Sequence, residues 1–127
     1  MTIALWCVFI AGLLPYVAAV LSKAGGQNFD NNEPRVWLAK QQGFRARANA
    51  AQQNGFEAFA FFAVAVLVAH VTRGQLGVVN MLAMLFIAAR LIYLAAYLAG
   101  LGTLRSLVWA VGMMATVAIF IAVAVAH

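Results

Sequence analysis

Eight side chains able to hold a polar ligand lie within, or at the edge of, long apolar runs, where such groups are costly. Arg47, Asn54 and Glu57 fall on one run, Arg90, Tyr93 and Tyr97 on the next, and Arg105 and Ser106 open the last. A charge placed in hydrocarbon costs roughly 2.5–3.5 kcal/mol even on the lenient insertion scale, so it is expected to have a partner or a role. Arg90, Tyr93 and Tyr97 are spaced i, i+3, i+7 and would line one helical stripe, and Asn54 and Glu57 share a face at i, i+3. Glu57 lies ten residues beyond Arg47, and Arg90 ten residues before Gly100, about 15 Å in each case at 1.5 Å per residue. On antiparallel spans the two charges therefore share a level. The expectation is a Glu57–Arg90 ion pair near the midplane, within or between protomers, with Asn54 level with Tyr93. Together with Arg105 and Ser106 these residues would line a polar groove opening to the cytoplasm and walled by apolar groups. Plainer roles exist for the same residues: a register clamp for the ion pair, an interfacial aromatic for Tyr97, and a topology signal for Arg105.

The elements that must position these groups follow from composition. Of 127 residues, 66% are hydrophobic and only 9% charged, against about 25% charged in soluble domains, too few to cover an outside in water. The pattern predicts an all-α, integral membrane four-helix bundle, a single domain over residues 1–127, with spans at about 2–21, 45–71, 76–98 and 104–126. Pro15 is expected to kink the first span. Asn31-Asn32-Glu33-Pro34 reads as a cap and first turn, and Pro34 to Gln42 as a short interfacial helix ended by Gly43, with Trp37 and Leu38 turned to lipid. Gly100-Leu101-Gly102-Thr103 reads as a tight turn. Ala48, Ala50, Ala51, Gly55 and Ala58 suit close helix packing, including packing against further copies of the chain. Asn49, Gln52 and Gln53 are expected to bond across helices.

Five of the eight basic residues (Lys23, Arg35, Lys40, Arg45, Arg47) cluster between the first two spans, and Arg105 lies at the turn between the last two. That distribution places both connections in the cytoplasm and both termini outside. It also explains the net charge of +5 as topology, so no nucleic-acid partner is expected. Cys7 is the single cysteine and lies in an apolar run, which excludes an intrachain disulfide and a cysteine metal cluster; no metal is expected. His70 and His127 are isolated and expected to be silent.

The run Arg45-Ala-Arg-Ala-Asn-Ala-Ala-Gln-Gln-Asn-Gly-Phe-Glu57 resembles the second-span signature of the MAPEG family, the membrane-associated proteins in eicosanoid and glutathione metabolism. Arg90-Leu-Ile-Tyr-Leu-Ala-Ala-Tyr97 followed by Arg105-Ser106 is similar to the third span and the start of the fourth, and Asp30-Asn-Asn-Glu-Pro-Arg35 resembles a loop of bacterial members. The resemblance implies a homotrimer, expected in a bacterial inner membrane, with glutathione as cosubstrate bound between protomers and a lipophilic second substrate arriving from the membrane lipid. It further implies that Asn54 and Glu57 hold the polar end of glutathione, that Tyr97 and Arg90 help shape the site beside the groove residues Tyr93 and Ser106, and that Arg105 faces the thiol. Ala50 stands where the glutathione-using enzymes carry arginine, and Arg47 could substitute only by reaching down the groove.

Three functions follow as expectations. The first is a glutathione-dependent transferase or peroxidase acting on hydrophobic electrophiles or hydroperoxides. The second is a non-catalytic membrane protein of the same fold that binds lipid or a partner. The third, a small channel, is disfavoured by a single membrane carboxylate and its expected ion pair.

Overall fold

The computed structural model describes residues 1–126; His127 lies outside the described residues. Its elements are α1 (Ile3–Lys23), α2 (Pro34–Ala39), α3 (Phe44–Val71), α4 (Leu76–Leu98) and α5 (Gly102–Ala126). The four long helices are each apolar and long enough to cross a membrane. At 1.5 Å per residue even the 21-residue α1 spans about 31 Å, matching a hydrocarbon core of about 30 Å. The expected spans agree with these helices to within about two residues at each end.

Packing follows the small residues. On α1 the buried positions are Ala4, Cys7, Ala11, Pro15, Ala18 and Ser22, a repeat of three and four that lays one seam against α3 and α4. Helix α1 continues through Pro15, which donates no backbone hydrogen bond and whose ring fits against Gly55 of α3. A Cβ at Gly55 would come within 3.0 Å of that ring, so the glycine sets how closely the two helices approach. Deeper in the bundle the fully buried Phe62 stacks on Phe86 at 3.9 Å, joining α3 to α4, and Ile119 and Val123 of α5 close the same core.

Helix ends are tied by specific bonds. Thr2 caps α1 by accepting from the Leu5 amide, and Asn80 Oδ1 of α4 accepts from the Ala4 amide at 2.9 Å. His70, expected to be isolated, instead lies 2.7 Å from Thr2 Oγ1 through Nε2 and 2.8 Å from the Val66 carbonyl through Nδ1. It clasps the start of α1 to the end of α3, a contact invisible to a reading of one helix at a time.

The connection between α1 and α3 differs from expectation in one respect. Trp37 and Leu38 are buried, each 8% exposed, rather than turned to lipid. Residues after α1 fold back over α2, so that Trp37 Nε1 donates to the Gln27 carbonyl at 3.1 Å and its ring meets the edge of Phe29. Gly26 lies beneath the indole, where a Cβ would be 2.4 Å from the ring. The short helix also ends at Ala39, before Gln42.

Between α4 and α5 the chain turns through a Schellman motif. Gly100, at φ 75°, donates to Tyr97, and Leu101 donates to Ala96. This turn fixes the start of α5 and with it Arg105, one helical turn further on.

Candidate functional site

Tyr93 and Tyr97 of α4, Arg105, Ser106 and Trp109 of α5, and Asn54 of α3 line one cavity of about 320 Å³. Five of the six were expected to share a groove. Trp109 was not, although its place four residues after Arg105 puts it on the same helix face.

The aromatic rings position the cations. Tyr93 and Tyr97 meet edge to face with centroids 5.6 Å apart. The Arg105 guanidinium lies 4.7 Å from the centre of the Tyr97 ring, and the Arg90 guanidinium 4.0 Å from that of Tyr93. Such a contact gains about 0.5–1 kcal/mol for an exposed cation and about 2 kcal/mol for a desolvated one, and it holds the guanidinium without consuming its in-plane N–H donors. Arg105 thus presents free donors at the groove. Asn54 Oδ1 is buried and has no hydrogen-bond partner among the described residues, an acceptor awaiting an N–H.

Three expected site residues lie elsewhere. Arg90 is 7% exposed and sits behind Tyr93, against small cavities between α1, α3, α4 and α5, rather than on the groove surface. Glu57 is exposed, and the expected Glu57–Arg90 pair is not formed within the chain. The level was right and the direction was not. Ala58 lines a cavity with Arg90, whereas Glu57 points about 100° away round the helix, toward the outside of the bundle. Arg47 does not run down the groove toward the place left by Ala50. Its Nε and Nη2 donate to the Leu98 carbonyl at 3.2 and 3.1 Å, at the rim of the α4–α5 turn.

A second polar surface lies on the other flank of α3. Lys23, Arg35, Asn49, Gln52 and Gln53 line a cavity of about 510 Å³ beneath α2. Between this flank and the groove runs an exposed stripe of α3 that includes Gln53, Glu57, Ala60, Val64 and Leu67. Asn49, Gln52 and Gln53 therefore face a cavity rather than bonding across helices. Among the described residues no cluster of His, Cys, Asp or Glu could hold a metal.

Four spanning helices with an arginine- and tyrosine-lined groove in their flank define a multi-pass membrane protein. The MAPEG family model matches residues 3–125, and the chain belongs to the MAPEG family. Searches of curated proteins and of solved structures gave no significant match.

Proposed function

We propose that this protein is a membrane-bound glutathione-dependent transferase or peroxidase acting on hydrophobic electrophiles or hydroperoxides. The observation that carries the proposal is the convergence of Asn54, Tyr93, Tyr97, Arg105 and Ser106 on one cavity. Membership of a family that includes glutathione transferases and peroxidases supports it.

The donor set suits the tripeptide. Glutathione carries two carboxylates, one ammonium and peptide N–H groups, and so needs cations, a carboxylate and an acceptor. Among the described residues Asn54 Oδ1 is a buried acceptor without a partner and Glu57 a carboxylate without an ion-pair partner, and Arg105 offers guanidinium donors. The cation missing at Ala50 comes, in this proposal, from a second copy. In a homotrimer packed along the exposed α3 stripe, the flank bearing Lys23, Arg35 and Gln52 of one protomer faces the groove of the next, and Glu57 stands at the junction.

Arg105 would favour the thiolate, because a nearby positive charge lowers a thiol's pKa. The thiolate then attacks an electrophilic carbon reached from the bilayer; the S–C bond forms and the leaving group departs with its electron pair. With a hydroperoxide, two glutathione molecules give the alcohol, glutathione disulfide and water. The protein is proposed to lie in a bacterial inner membrane with both termini outside and the groove open to the cytoplasm.

The test is conjugation of glutathione to a reactive aryl halide by detergent-purified protein. Activity that disappears in Arg105→Ala while the oligomer survives is the expected result. The alanine at position 50 favours one alternative, a non-catalytic lipid- or partner-binding protein of the same fold. A protein that neither conjugates nor binds glutathione at millimolar concentration would refute the proposal and favour that alternative.

A further inference from the structure

Across Tyr97 and Arg105 from the groove lies a separate cavity of about 160 Å³ at the α4–α5 turn, far above the ~10–15 Å³ a single water needs. Arg47 and Arg105 both line it, with Tyr97, Gly100 and Leu101, and no acidic side chain does. Two guanidiniums facing one cavity repel each other unless an anion lies between them.

Both are held in place by contacts that leave donors unused. The Leu98 carbonyl fixes Arg47 through Nε and Nη2, so three of its five N–H groups remain. The Tyr97 ring supports Arg105 from below. The amides of Gly100 and Leu101 are spent on closing the Schellman motif, so the guanidiniums carry the recognition. Paired planar forks match an oxyanion, and the positive end of α5 at Gly102 adds to the attraction.

The surroundings indicate the source of that anion. The turn closes two spanning helices and so lies at the membrane interface. Leu101, Leu104 and Leu107 beside it are exposed, Leu107 at 61%. A ligand whose phosphate enters the cavity while its chains lie along these leucines satisfies both surfaces. The geometry points to a phospholipid phosphate site formed by Arg47 and Arg105 at the α4–α5 turn. This site is separate from the glutathione groove but shares Arg105 with it. A lipid bound here therefore also positions the guanidinium that faces the groove.

The test uses the full chain in detergent with added phosphatidylglycerol, read by native mass spectrometry and by arginine modification with phenylglyoxal. The unchanged protein is expected to retain the lipid, and the lipid to shield Arg47 from modification. Arg47→Gln should lower lipid retention at least about tenfold, the equivalent of about 1.4 kcal/mol. Arg47→Lys should recover part of it, because it keeps the charge without the fork. Equal retention in Arg47→Gln, or no shielding of Arg47 in the unchanged chain, would overturn the site. Equal shielding by inorganic phosphate at the same concentration would keep the oxyanion site and overturn the lipid. Shielding of Arg47 by glutathione but not by the lipid would overturn the inference while leaving the groove's proposed function standing.

Discussion

Arg90→Met is expected to stabilise the bundle, although it deletes a charged side chain from the centre of the polar region. The guanidinium is buried, meets no carboxylate among the described residues, and rests on the Tyr93 ring at 4.0 Å. Its placement in the middle of a spanning helix costs roughly 2.5–3.5 kcal/mol. A desolvated contact with one ring returns about 2 kcal/mol. The difference leaves about 0.5–1.5 kcal/mol to be gained when methionine, of similar reach and without charge, fills the same space. Equilibrium unfolding in mixed detergent micelles, followed by circular dichroism, measures it. Tyr93→Leu should cost about 2 kcal/mol when Arg90 is present and much less in the Arg90→Met background, so a double-mutant cycle isolates the cation–ring contact. A loss of about 3–5 kcal/mol in Arg90→Met would refute the reasoning, because a loss of that size marks a broken buried ion pair. The anion would then have to come from another copy of the chain.

Three further predictions concern packing. Phe62→Ala should destabilise by about 1–3 kcal/mol, below the soluble-protein range, because lipid is as apolar as the core and mainly the stack on Phe86 and the cavity term are lost. Phe9→Ala, on an exposed position, should cost less than about 0.5 kcal/mol in the same unfolding assay. Gly26→Ala should force Trp37 off its bond to Gln27, since the new Cβ would lie 2.4 Å from the indole. Trypsin should then cut faster at Lys23, Arg35 and Lys40, at a stability cost of about 1–3 kcal/mol. An unchanged cleavage rate and melting temperature would show that the loop does not rest on this contact.

By itself the sequence determined the spans, the turn after α4 and most of the groove. Hydrophobic runs of bilayer length, ended by glycine and basic residues, allow little else, since backbone polar groups in lipid must be satisfied within a helix. The i, i+3, i+7 stripe of Arg90, Tyr93 and Tyr97 likewise follows from helical period alone, and two of its three members reach the groove. Rise per residue also gave the correct level for Glu57 and Arg90. What it could not give was azimuth between helices. Only the seating of Pro15 against Gly55 and the stack of Phe62 on Phe86 decide how α3 is turned, and that rotation sends Glu57 outward and leaves Arg90 on a ring. Contacts distant in sequence decided the rest. The fold-back that buries Trp37, the clasp of Thr2 by His70 and the reach of Arg47 to Leu98 each join residues that no local pattern pairs.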